Sequence, residues 1–149
     1  MYDHIGLRVG NLDASVRFYT AALAPLGFVL CSRDDSGAGF GPKGAPALWL
    51  HLHKGSAGSA AHVAFRAKDH AAIKQFHAEG LKAGGRDNGG AGLRADYSPT
   101  YFAAFLIDPD GNNVEAVCTC CLRVSASEAK QSMVPQRKHG LLRRKGSSQ

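Results

Sequence analysis

No apolar run in the 149 residues approaches the ~20 that a helix needs to cross a bilayer. The N-terminus also lacks a basic stretch followed by an apolar one, so no export signal and a cytoplasmic location are expected. Cysteine is scarce, with only Cys31, Cys118, Cys120 and Cys121. Without an export signal these read as reduced thiols rather than a disulfide framework. Cys118 and Cys121 have C-x-x-C spacing, but no second pair accompanies them, which argues against a zinc or redox site. An excess of charge is missing from most of the chain. The net charge is +6, yet residues 1–121 hold eleven basic and eleven acidic residues. The whole excess lies in residues 122–149, where seven basic residues face only Glu128. A neutral body has no electrostatic footprint for nucleic acid, so neither nucleic acid nor a membrane is expected as a partner.

What is present is a duplication. Asp3-His4-Ile5-Gly6-Leu7-Arg8-Val9 and Ala61-His62-Val63-Ala64-Phe65-Arg66-Ala67 share one pattern of His, large apolar, small, large apolar, Arg. Sliding the chain by the 58 positions between the histidines also superimposes Phe18 on Phe76, Leu23 on Leu81 and Gly27 on Gly85. A fixed-offset self-match predicts two similar halves, each opening on a strand. Alternate residues of a strand face opposite sides. Ile5, Leu7 and Val9 therefore share an apolar face that should meet a helix. His4, Gly6 and Arg8 share the other, as do His62, Ala64 and Arg66, and these faces should look into a cleft.

Each half reads as strand, helix, then about three strands. Asn11 and Asp69 are placed to cap the two helices, which close at Pro25–Gly27 and at Gly84–Gly85. Phe28 to Ser32 and the alternating run Ala47 to His53 read as strands, with a turn-rich link over Asp34 to Gly39 between them. In the alternating run Trp49, His51 and His53 oppose Leu48, Leu50 and Leu52. Gly55 to Ala60 is a small-residue linker. Asn88 to Gly92 is a Gly-rich approach that would allow a mobile lid. Tyr101 to Ile107 and Asn113 to Val117 read as strands joined by a tight turn at Asp108-Pro109-Asp110-Gly111. The expected organisation is one α+β domain over residues 1–121, made of two βαβββ modules at about 1–54 and 61–118. A basic, disordered tail at 122–149 completes the chain.

Glu115 lies between apolar neighbours on the final strand. A carboxylate there is costly to bury unless it is paired with a cation or a salt-bridge partner such as Arg8 or Arg66. With His4 and His62 it makes two imidazoles and one carboxylate. That set suits a divalent transition metal (Zn, Ni, Co, Mn or Fe(II)) with positions open for substrate.

Two βαβββ modules, a His on the first strand of each, and the run Asp108-Pro109-Asp110-Gly111-Asn112-Asn113-Val114-Glu115 together resemble the vicinal oxygen chelate superfamily. This is the group of glyoxalase I, bleomycin-resistance and fosfomycin-resistance proteins and extradiol dioxygenases. The resemblance covers about residues 1–118. It implies strands curved into a cup around one metal, His4, His62 and Glu115 as ligands, and a homodimer that builds the site from two chains. Glyoxalase I carries a fourth ligand, Glu or Gln, on the last strand of its first half. Here the corresponding strand from Trp49 to His53 has neither, so His51 reads as pocket lining or as a substitute ligand and Trp49 as a wall. Arg8 and Arg66 share the pocket faces. Tyr97, Tyr101 and Arg94 are candidates to orient a substrate or move a proton.

The chemistry implied is Lewis-acid catalysis on a small molecule with neighbouring oxygens, of lyase or isomerase type, with a thiol cosubstrate left open. The alternatives are an Fe(II) ring-opening dioxygenase and a non-catalytic small-molecule binder of the bleomycin-resistance kind.

Overall fold

A computed structural model describes residues 2–55 and 61–119. Most of the Gly55–Ala60 linker, Cys120, Cys121 and the basic tail lie outside the described residues. The elements run β1 (Ile5–Val9), α1 (Leu12–Leu23), a short 3-10 turn (Ala24–Leu26), β2 (Val29–Arg33), β3 (Gly37–Gly41) and β4 (Leu48–Leu52). The second half repeats them as β5 (His62–Arg66), α2 (His70–Lys82), β6 (Arg86–Leu93), β7 (Phe102–Ile107) and β8 (Asn113–Cys118). Each half forms its own four-stranded sheet, in the orders β1-β4-β3-β2 and β5-β8-β7-β6. In both sheets the first strand pairs parallel with the last, and the other pairs are antiparallel.

The local chemistry of the helices follows the sequence. The Asn11 side chain accepts from the Ala14 N–H at 3.0 Å, and the Asp69 side chain accepts from the Ala72 N–H at 2.8 Å. Each cap satisfies one of the donors that a helix start leaves unpaired. Gly27 and Gly84 end the helical segments with φ of 86° and 103°, in the left-handed region where a side chain is strained.

Two strands are made of residues that carry no strand signal. The expected link over Asp34 to Gly39 contains the first three residues of β3, and the Gly-rich run Asn88–Gly92, expected to allow a mobile lid, is the middle of β6. Sheet pairing decides both. β3 is sandwiched between β2 and β4, and β6 keeps pairing with β7 through two register shifts, between Asp87 and Gly89 and between Gly89 and Gly92. Tertiary pairing here overrides the low strand propensity of glycine.

The helices join the two halves. Phe18 and Phe76, equivalent in the duplication, are both fully buried, with Tyr19, Leu23 and Ile73 around them. The turn between β7 and β8 then reaches across to the first half. The Tyr19 hydroxyl donates to Asp108 Oδ2 at 2.7 Å, the Ser15 hydroxyl to Asp110 Oδ2 at 2.6 Å, and the Gly10 N–H to Asp110 Oδ1 at 2.8 Å. Asp108 also accepts from the backbone N–H groups of Asp110 and Asn112 and from the Asn112 amide. Burial, followed by the negative charge of Asp108, raises the Tyr19 phenol well above its ordinary pKa, so it remains a donor. The Asp-Pro-Asp-Gly turn is thus both a hairpin and the polar clasp between the modules.

Candidate functional site

The parallel register sets Ala64 beside Glu115, and this brings His62, at the start of β5, to the same face. His62 Nε2 lies 3.1 Å from Glu115 Oε2. The Tyr101 hydroxyl donates to Glu115 Oε1 at 2.6 Å. Both carboxylate oxygens are therefore engaged. Glu115 is 2% exposed, so these contacts meet the cost of burying it, and Arg8 and Arg66 do not take that part. Partial burial, then the hydrogen bond and charge of Glu115, push the Tyr101 phenol up to about 12. It holds its proton at neutral pH and orients the carboxylate.

The face continues across the sheet. Phe105 pairs with Glu115, Ala103 with Val117, and Gly89 and Gly92 of β6 pair with Phe105 and Ala103. The Arg94 guanidinium lies over the Phe105 ring, 5.4 Å from its centroid, and its Nη2 donates to the Gly90 carbonyl at 2.6 Å. Tyr97 is largely exposed and packs edge-on against Tyr101, with ring centroids 5.2 Å apart. Phe105 does not stand out in the sequence, and Gly89 and Gly92 stand out only as part of the Gly-rich run Asn88 to Gly92. The signal that was available is the period-2 run Tyr101, Ala103, Phe105, Ile107, which shares Glu115's face.

The first half presents a comparable face. Trp49 pairs with Gly6 across β1–β4 and with Gly39 across β3–β4, and His51 pairs with Arg8 and Gly37. A methyl group on Gly39 would sit 2.8 Å from the Trp49 ring, so that glycine makes room for the indole. Among the described residues neither Arg8 nor Arg66 has an ion-pair partner. His4 precedes β1, and its Nδ1 meets Asp3 Oδ1 at 2.7 Å, with the imidazole 60% exposed. It lines an apolar cleft of about 170 Å³ with Ile5, Phe28, Phe40, Ala64 and Phe65, between the free edges of β1 and β5. His4 thus stands across a cleft from the residue beside Glu115, and it does not join the His62–Glu115 pair. Among the described residues no three His, Cys, Asp or Glu side chains come close enough together to hold a metal.

The spacing of the His62–Glu115 pair is that of an ordinary hydrogen bond and is also compatible with a shared cation. Two ligands each about 2.1 Å from one cation and about 90–110° apart lie about 3.0–3.4 Å from one another. The His62–Glu115 separation of 3.1 Å is within that window. The Tyr101 bond to the other oxygen is the kind of outer partner that fixes a ligating carboxylate. His62 and Glu115 supply two donors, and a third would have to come from the other sheet, where His4 and His51 are.

The chain matches no curated protein. It does match solved structures. A glyoxalase/bleomycin resistance protein from Albidiferax ferrireducens is 27% identical with a TM-score of 0.64, over 78% of this chain and 97% of that one. A variant of glyoxalase I from Zea mays is 25% identical with a TM-score of 0.62, over 78% of this chain and 46% of that longer one. A glyoxalase-related enzyme from Fulvimarina pelagi, at 20% identity and a TM-score of 0.60 over 76% of this chain and 84% of that one, shares the fold. Members of the group to which these proteins belong commonly bind divalent metals and commonly form dimers. The two-module architecture described above is theirs, and the model of one family matches residues 2–116 of this sequence. The chain belongs to the glyoxalase/bleomycin resistance protein/dioxygenase superfamily.

Proposed function

We propose that the protein is a metal-dependent, glyoxalase-like enzyme that acts on a small molecule with neighbouring oxygens. The observation that carries this reading is the buried Glu115, held by Tyr101 on one oxygen and 3.1 Å from His62 on the other. His62 and Glu115 would hold a divalent transition metal, with His4 as third donor, contributed across the β1–β5 cleft or by a second copy of the chain. The metal would supply a Lewis acid to the substrate oxygens. The chain's own residues do the rest. Tyr101 keeps its proton and fixes the orientation of Glu115. Tyr97 forms an exposed aromatic wall beside it. Trp49 and His51, with Arg8, make the corresponding wall on the first-half sheet.

A small-molecule binder without turnover is the second reading, and it is favoured by His4 standing apart from the donor pair.

Metal analysis of the full chain, purified without chelator, tests the site. Wild type is expected to hold about one transition metal per site, and His62→Ala, Glu115→Ala and His4→Ala to lose it. A wild-type protein that cannot be loaded with any of these metals sinks the catalytic reading and leaves the binder. Mixing His4→Ala with Glu115→Ala locates the third donor. Recovery of metal binding on mixing means that two copies build the site, because a mixed dimer then contains one intact set.

A further inference from the structure

We propose that Arg94 is a preformed anchor for an anionic group on the substrate, and hence that the substrate is an anion whose charge lies roughly 5–10 Å from its reacting oxygens, one to two strand spacings. The assignment rests on the reading of the His62–Glu115 face as the reaction site.

The guanidinium occupies space that two glycines leave open. Gly89 and Gly92 project toward the same face as Phe105 and Ala103, with which they pair, and Phe105 pairs in turn with Glu115. A methyl group on Gly92 would lie 3.0 Å from Arg94 Nη1, and one on Gly89 would lie 3.4 Å from Nη2 and 3.1 Å from the Phe105 ring. The absence of side chains at these two positions leaves a cradle in which the guanidinium lies across the sheet. Phe105 is below it, 5.4 Å from ring centroid to guanidinium carbon, and the Gly90 carbonyl accepts from Nη2. The backbone of Arg94 is fixed as well. Its N–H donates to the Tyr101 carbonyl at 2.7 Å, and its own carbonyl accepts from the N–H groups of Tyr97 and Ser98.

The charge held there has no carboxylate partner among the described residues. An arginine placed to stabilise the fold is usually set against a carboxylate or spread over the surface. This one is half-buried, locked at both ends and directed along the face that carries Glu115 and His62. Its planar fork has donors left for a carboxylate, and a pre-oriented cation loses little freedom on binding one. Lined up across β6, β7, β8 and β5, the order is anion anchor, aromatic floor, carboxylate, imidazole.

The test uses 4-(1,2-dihydroxyethyl)benzoate, which has neighbouring hydroxyls at one end and a carboxylate at the other, together with its uncharged methyl ester. Calorimetry on the metal-loaded full chain gives both dissociation constants for wild type, Arg94→Met, Gly92→Ala and Glu115→Gln. The acid is expected to bind wild type about tenfold or more tightly than the ester, and the ratio to fall to about one in Arg94→Met. Gly92→Ala keeps the charge and displaces it, so the ratio should fall there too. An ester that binds wild type as well as the acid overturns the proposal, as does a ratio preserved in Arg94→Met, or no saturable binding of the acid at about 10 mM. The underlying reading fails separately. If Glu115→Gln binds both compounds as tightly as wild type, the His62–Glu115 pair is not the reaction site, and the acid-to-ester ratio still judges Arg94.

Discussion

Tyr101 donates its hydroxyl hydrogen to Glu115 Oε1 at 2.6 Å, across the 14 positions between the start of β7 and the middle of β8. The bond fixes Oε1 and leaves Oε2 as the oxygen nearer His62. Tyr101 is therefore a positioning residue that acts through Glu115.

Tyr101→Phe should lower metal affinity by about 10- to 100-fold, the usual cost of losing an outer partner of a ligand. Competition with a chromophoric chelator measures it. The pH behaviour reports the same environment, burial first and then the contact with Glu115. The folded phenol titrates near 12, above the ordinary value of about 10 for an unfolded tyrosine. A raised pKa favours the protonated form in the folded state, so this contribution to stability is complete below about pH 10 and is lost as pH rises toward 12. The phenylalanine variant should lose one of the two late steps in an absorbance titration at the tyrosinate band, leaving that of Tyr19, and a titration in which both late steps survive would remove the assignment.

Asp108→Ala should destabilise the protein by about 3 kcal/mol or more, because it leaves the buried Tyr19 hydroxyl and the donors of Asn112 without their acceptor. Tyr19→Phe should cost only about 1–2 kcal/mol, since Asp108 keeps its bonds from the turn. Urea unfolding of the two variants gives both numbers. Equal costs would mean that the bonds of Asp108 within its own turn contribute little, and no cost for Tyr19→Phe would mean that the Asp-Pro-Asp-Gly turn serves only its own hairpin.

Asp87 should titrate below the usual carboxylate range. The Gly89 N–H is the larger cause and the His77 imidazole, 2.8 Å away, the smaller. A lowered pKa favours the charged form, so this contribution is present above about pH 4 and lost as pH falls through the folded value. His77→Ala should leave most of the shift in place, as read by NMR titration of the side-chain carboxyl carbon. A return to the ordinary value in that variant would reverse the order of the two causes.

Asn11→Ala and Asp69→Ala should each cost about 1 kcal/mol, the typical worth of an N-cap, and nearly the same amount as one another. Thermal unfolding compares them. A large difference would mean that the duplicated helices do not contribute equivalently to the fold.

The duplication was legible because its evidence is local and repeated. His4 lies just before β1 and His62 heads the equivalent β5, Phe18 and Phe76 are equivalently buried, and the caps at Asn11 and Asp69 are each written in one side chain. β3 and β6 were obscured because their glycines have no strand preference, and only the strands beside them make them pair. The Arg94 cradle was invisible for a related reason. Gly89, Gly92 and Phe105 form one feature only after the register places them side by side.

The two-module plan, the helix boundaries, the tight turn after β7 and the strand faces of His62, Glu115, Trp49 and His51 are written in the chain, since all of these follow from periods of two and 3.6 residues and from single capping or turn residues. Which of those side chains meet depends on how the strands pair and pack. His62 and Glu115 are 53 positions apart, and the parallel register of β5 with β8 puts them 3.1 Å apart. His4 occupies the equivalent place in the other half, but its strand belongs to a separate sheet and its imidazole turns to Asp3. Side-chain direction is a property of a strand, whereas the distance between two strands belongs to the packing of the whole chain.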